Sequence, residues 1–219
     1  MNTSKQSRMA FRLGGGIAIL ATVIMVCGAA IPFFAPSLRE APWTDDPAQA
    51  AVAIAGNPTA FAWAQGLFLS AAILTAIGFT PLSLGFQGRS RLWSMMALVA
   101  FSFGAVFSVI DRTIDIGVYT WGAVLGINIA ELWVQALMHF QTGLSFAFYI
   151  LAFLALSLYG IAITQQPGMG WLGWVFVAAG VLGILLRVFG DLIPAFIYFG
   201  TGALGATAWL LGVDSEAET

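Results

Sequence analysis

The chain has 219 residues, of which 60% are hydrophobic and only 8% carry charge, and its mean hydropathy is +0.92. Soluble domains have about a quarter charged residues, so the composition excludes an ordinary water-soluble protein. The net charge of −2 gives no basic surface for nucleic acid. Stretches without any charged side chain, such as residues 13–35 and 143–163, match the thickness of a bilayer and predict transmembrane helices.

The first predicted span covers residues 13–34 and follows a basic segment, residues 1–12, that contains Lys5, Arg8 and Arg12. Basic residues favour the cytoplasmic side of a membrane, so we expect the amino terminus there. The apolar run is too long for a signal-peptide core and is interpreted as a retained helix. Residues 14–16 are glycines that permit close helix packing, and Pro32 and Pro36 are expected to end the helix.

Residues 35–58 are predicted to form an outer loop containing a short helix, which begins at Pro47 with Asp46 as its N-cap and ends near residue 55. The second span covers residues 59–84, with Pro81 as a candidate kink. The basic loop at 87–91 is expected inside. The third span covers residues 92–110 and is followed by charged residues at 111–115.

Residues 116–140 allow two interpretations. They form either an outer loop and a helical extension of the fourth span, or a seventh span over residues 116–137. An ionised Glu131 inside a span would cost about 2.5–3.5 kcal/mol on insertion scales, so we favour six spans. The positive-inside rule does not separate the two interpretations.

The remaining spans are predicted at residues 143–163, 171–189 and 192–211, the last loosened by Pro194. The predicted fold is therefore an all-α polytopic bundle within residues 13–213. It has an outer loop at 35–58, an outer segment at 111–141 and an acidic tail at 214–219. Six spans place both termini in the cytoplasm, with the bundle in a bacterial inner membrane.

Three stretches carry a resemblance to a known family. They are Arg12-Leu13-Gly14-Gly15-Gly16-Ile17-Ala18, Ala55-Gly56-Asn57-Pro58-Thr59 and Gln166-Pro167-Gly168-Met169-Gly170-Trp171-Leu172-Gly173-Trp174. They lead into the first, second and fifth spans, and they resemble the DUF4386 family of bacterial membrane proteins of unknown function. The resemblance implies six helices. That family has no established activity, so the resemblance implies no catalytic residue.

Eight polar residues near predicted outer ends of spans are the candidate ligand or proton site: Asp111, Arg112, Asp115, Glu131, Gln135, His139, Arg187 and Asp191. Asp111 and Asp115 are four residues apart and would share one helix face. Glu131, Gln135 and His139 repeat at the same spacing and form one polar stripe, which faces either the bundle or water. Ionisable groups at membrane depth are functional candidates, although they also pair with one another at helix ends.

Other chemistry has little support in the sequence. The single Cys27 allows no internal disulfide, and no metal-ligand spacing, phosphate loop or dinucleotide fingerprint is present. The sequence therefore identifies no particular cofactor and leaves the question of a cofactor open. Glycines at 180 and 183, and at 200, 202 and 205, are typical of close helix packing.

Three functions remain open. The first, which we favour, is a non-catalytic membrane protein that is an accessory subunit or binds a small apolar ligand or lipid between its helices. The second is a membrane enzyme on a lipid or isoprenoid substrate, with a carboxylic acid at the outer end of the bundle. The third is a small proton or ion transporter. The expected partners are membrane lipids, an apolar ligand, and partner subunits or a homo-oligomer.

Overall fold

The computed structural model describes residues 3–38, 47–120, 131–190 and 195–214, and within these ranges the chain is helical without strands. The helices are α1 (Thr3–Phe34), α2 (Pro47–Gly56), α3 (Pro58–Gly85), α4 (Gly88–Ile114), α5 (Glu131–Thr164), α6 (Gly170–Phe189) and α7 (Ala195–Asp214). All but the short α2 are long and apolar enough to cross a membrane. The predicted all-α bundle with six spans is thus confirmed.

The first helix is longer than predicted at its amino end. It begins at Thr3 because the basic segment is rich in strong helix formers such as Lys, Gln, Arg and Met. Pro32 does not stop it, since the helix continues to Phe34. A proline so close to the end disturbs only the last turn. A short 3₁₀ turn, Pro36–Leu38, follows.

The ambiguous region is helical on both sides of a gap in the described residues. α4 continues past the predicted end at residue 110 to Ile114, and a wider π-helical turn, Asp115–Thr120, extends it further. α5 begins at Glu131, twelve residues before the predicted start of the fourth span. The part of α5 that is long and apolar enough to cross a membrane is His139–Thr164. The first interpretation, a helix that extends the fourth span, therefore fits the described residues.

Helix α5 is the centre of the bundle. In the most apolar part of α5, 67% of the residues are buried, against 22% in α1 and α6. α5 packs on α4 and α6, and α1 packs on α3 and α7. Aromatic rings fill the centre, with Phe79 in edge-to-face contact with Phe101 at 4.8 Å and with Tyr159 at 4.9 Å between centroids. Such contacts add to the free energy gained by burying the rings.

Glycines set the closest helix contacts, as predicted. A Cβ atom at Gly14 would lie 2.6 Å from the main-chain oxygen of Gly78, and one at Gly15 would lie 2.5 Å from that of Gly205. These distances are shorter than a carbon–oxygen contact allows, so only glycine fits there. The small-residue packing of α1 on α3 and α7 is confirmed.

The two ends of the bundle differ in charge. Arg12 donates a hydrogen bond to the main-chain oxygen of Gly212 at 3.1 Å, and Gln87 donates to Ser7 at 2.7 Å. The start of α1, the α3–α4 loop and the end of α7 therefore lie at one end. We call it the basic end, defined by Lys5, Arg8, Arg12, Arg89 and Arg91. The opposite end, defined by Asp111, Arg112 and Asp115, is the cluster end.

Candidate functional site

The last turn of α4 and the π-helical turn after it bring three charges together at the cluster end. The guanidinium of Arg112 lies 3.4 Å from Asp111 Oδ2 and donates to Asp115 Oδ2 at 3.1 Å. Its Nη1 atom also donates to Gln65 Oε1 on α3, at 2.8 Å. Asp111 is only 4% exposed, so these charges are held inside the protein.

Helix α5 supplies the remaining donors. Gln141 Nε2 donates to Asp115 Oδ1 at 2.8 Å and to the main-chain oxygen of Asp111 at 3.3 Å. Ser145 Oγ donates to Asp111 Oδ2 at 2.9 Å. We call this set the ion network: Gln65, Asp111, Arg112, Asp115, Gln141 and Ser145.

The ion network links α3, α4 and α5 at one end of the bundle. Each carboxylate accepts hydrogen bonds from α5 and lies beside the same arginine, which compensates part of the cost of burial. The main candidate role of this geometry is to fix the relative positions of three helices. The two carboxylates and one guanidinium are also the groups that a proton or ion site would use.

Aromatic and hydroxyl groups lie directly beneath the ion network. The guanidinium of Arg112 lies 5.5 Å from the centroid of the Phe68 ring. Tyr198 lines a small internal cavity of about 10 Å³ together with Thr22, Thr75 and Thr201. A volume of this size holds about one water molecule and leaves no room for a lipid.

Arg187, in the last turn of α6, belongs to the same end of the bundle but not to the ion network. Its guanidinium carbon lies 5.5 Å from the ring centroids of both Phe146 and Tyr149 on α5. Its Nε atom is buried and has no hydrogen-bond partner among the described residues. The two salt bridges described at the cluster end are both made by Arg112.

The predicted polar stripe is described only in part. His139 is exposed, so at this position the stripe does not face the interior of the bundle. Glu131 and Gln135 lie in α5, but their side chains are outside the described part of the structure. Asp191 is outside the described residues altogether, so its predicted contact with Arg187 stays a prediction.

The sequence interpretation missed Gln65, Gln141 and Ser145. Both glutamines were visible as amide side chains within or next to apolar runs, where a polar group needs a partner. That signal marks a buried hydrogen bond but does not identify the other residue, since Gln65 and Arg112 are 47 positions apart.

A second polar contact joins α3 and α4 towards the basic end, and we call it the serine network. Ser83 Oγ donates to the main-chain oxygen of Ser94 at 3.0 Å, and Ser94 Oγ donates to that of Ser83 at 3.2 Å. Tyr159 OH on α5 lies 2.7 Å from Ser83 Oγ. All three side chains are fully buried.

Between these two networks a groove opens on the exposed side of α3 and α4. We call it the α3–α4 groove; its volume is about 430 Å³. Its lining is mostly apolar: Ile73, Ala76, Ile77, Thr80, Ser102, Ala105, Val106, Val109 and Ile110.

Among the described residues, no three His, Cys, Asp or Glu side chains come together as a group that could hold a metal ion. Comparisons with protein-family models, curated proteins and solved structures give no match for this chain. The resemblance to the DUF4386 family stays a prediction.

Proposed function

We propose that this chain is a non-catalytic integral membrane protein whose α3–α4 groove binds the acyl chain of a membrane lipid or a similar small apolar ligand. The observation that supports this proposal is a mostly apolar groove of about 430 Å³ between two helices that polar networks join above and below it. Ligand pockets in proteins typically have volumes of about 300–1,000 Å³ and mostly apolar linings.

The position of the groove between the two networks suits an acyl chain. Gln65 of the ion network and Ser83 of the serine network are eighteen residues apart on α3, which corresponds to about 27 Å at the rise of an α-helix. The hydrocarbon core of a bilayer is about 30 Å thick. A groove between these two levels therefore faces lipid tails rather than water or headgroups.

The carboxylates favour this function over the enzymatic alternative. Asp111 and Asp115 are engaged by Arg112 and by donors from α5. The cavity beneath them is about 10 Å³ and could not admit a lipid or isoprenoid substrate. A general acid must reach the atom that it protonates, and the described geometry offers no such approach.

A groove-filling variant tests the proposal. Val106→Trp places an indole in the α3–α4 groove, and we expect the purified protein to bind diacylglycerol, which has acyl chains but no phosphate, about tenfold more weakly, equivalent to about 1.4 kcal/mol. The measurement is mass spectrometry of the lipid retained after detergent washing.

The matched control is Val181→Trp on α6, because Val106 and Val181 are similarly exposed, 54% and 47%, and Val181 lies outside the groove. Retention should be unchanged in this control. Equal lipid retention in the two variants would remove the groove as the binding site.

The proposed setting is a bacterial inner membrane with the basic end in the cytoplasm. Five of the eight basic residues of the chain define that end, and basic residues are enriched on the cytoplasmic side. An accessory role beside partner subunits or a second copy belongs to the same proposal.

Both termini of the described chain lie at the basic end, so one reporter tests the orientation. An alkaline phosphatase fused after Thr219 should be inactive, and a fluorescent protein fused there should fluoresce. An active phosphatase at this position would place the basic end outside and overturn the proposed orientation.

A further inference from the structure

We propose that Arg187 binds the phosphate of an anionic phospholipid at the cluster end of the bundle. This site is on α5 and α6 and is separate from the α3–α4 groove, which is formed by α3 and α4. The Arg187 site would bind the headgroup of a lipid, whereas the groove would bind an acyl chain.

The first argument is the missing acceptor. Arg187 is half-buried, and its guanidinium has no salt bridge or hydrogen bond to a described residue. A buried donor without a partner costs free energy, and a charged donor costs more. The contacts that Arg187 does make are with two aromatic rings, which attract a cation but accept no strong hydrogen bond.

The second argument is orientation. Phe146 and Tyr149 lie within 5.5 Å of the guanidinium carbon and hold the planar group against α5. A guanidinium carries five N–H donors in a fixed plane, which suits the oxygens of a phosphate. Of the three guanidinium nitrogens only Nε is buried, so the two Nη atoms can donate to a phosphate.

The third argument is depth and surroundings. Arg187 lies in the last turn of α6, where a membrane span reaches the headgroups. The neighbouring side chains are apolar and exposed: Leu185, Leu186, Val188 and Phe189. This surface suits lipid tails, and Arg187 is the only Lys or Arg after Arg112 in the chain. A phospholipid supplies both the tails and the negative charge.

The test is thermal unfolding of the full-length Val106→Trp variant, whose α3–α4 groove is filled, in a neutral maltoside detergent, followed by circular dichroism. Every further variant in this test carries the same Val106→Trp substitution. Phosphatidylglycerol should raise the Tm by about 2–4 °C, because a ligand that binds only the folded state stabilises it. Diacylglycerol, which has the same tails without phosphate, and inorganic phosphate should not raise it. An equal rise with either would overturn the proposal that the site recognises a lipid phosphate.

Variants assign the effect to Arg187. Arg187→Gln should abolish the rise with phosphatidylglycerol, whereas Arg89→Gln, which removes an exposed arginine at the basic end, should keep it. An unchanged rise in Arg187→Gln would overturn the proposal. If Arg187→Gln is not recovered folded, Arg187→Lys decides: its point charge should give a smaller rise, and an undiminished rise would contradict the proposed role of the guanidinium.

Asp191→Asn tests whether the partner of Arg187 is a carboxylate of the chain itself or the phosphate of a lipid. If Asp191 were the acceptor for Arg187, Asp191→Asn would lower the Tm without lipid as much as Arg187→Gln does, and that result would overturn the proposal. The expected result is an unchanged response to phosphatidylglycerol. Because the α3–α4 groove is filled by Val106→Trp throughout this test, failure of the groove proposal and failure of this one are distinguishable.

Discussion

Replacement of Arg112 by Gln is expected to destabilise the folded protein by about 3–5 kcal/mol. The substitution leaves the buried carboxylates of Asp111 and Asp115 without their shared counter-ion, while Gln141 and Ser145 still hold them in place. The measurement is the free energy of unfolding, from titration with sodium dodecyl sulfate in mixed micelles followed by circular dichroism.

Two further variants show whether charge causes the loss. Arg112→Gln combined with Asp111→Asn and Asp115→Asn removes all three charges, so it should be more stable than Arg112→Gln alone. Arg89→Gln should change the free energy by no more than about 0.5 kcal/mol, because Arg89 is exposed. A loss below about 1 kcal/mol in Arg112→Gln would mean that the ion network does not depend on its arginine.

Replacement of Gly180 by Ala is expected to destabilise the contact between α5 and α6 by about 1–3 kcal/mol. The added Cβ would lie 2.5 Å from the main-chain oxygen of Phe153 and 2.8 Å from the main-chain nitrogen of Ser157. It would also collide with Ser157 Oγ. Main-chain atoms inside a helix cannot move aside, so α6 must shift away from α5.

The matched control is Gly143→Ala on α5, where an added Cβ meets no atom within 4 Å. There alanine should stabilise the helix by about 0.5–1 kcal/mol, because glycine loses more conformational freedom on folding. The same detergent titration measures both variants. Equal effects at positions 143 and 180 would show that close packing does not set the stability of the α5–α6 pair.

Hydropathy predicted the number and order of the spans because the thickness of a bilayer demands apolar runs of a minimum length. The residues at which the helices begin and end were less predictable. α1 extends into its basic segment and α4 passes through its charges, since helix formation depends on hydrogen bonds along the chain and not on hydropathy. The central position of α5 had no signal in its own composition, because every span is apolar.

The spacing of Asp111 and Asp115 predicted a shared face, and in the structure Gln141 bonds to both residues. Which arginine, amide and hydroxyl would meet them depends on contacts between distant segments, such as that of Gln65 with Arg112. The α3–α4 groove could not be predicted from the sequence either, because it lies where two helices diverge between their polar contacts. One sequence contains no local pattern for such a gap.

The position of the counter-ion within α4 has a consequence for biosynthesis. Asp111 and Asp115 leave the ribosome before Gln141, which follows Arg112 by twenty-nine residues, so their donors on α5 arrive roughly 1–6 s later at ordinary rates of synthesis. During that interval Arg112, three residues from Asp115 on the same helical run, can already neutralise one carboxylate. Gln65 has been synthesised earlier and can already accept from Arg112. α4 thus enters the translocon with part of its charge compensation built in, and α5 completes it when it inserts.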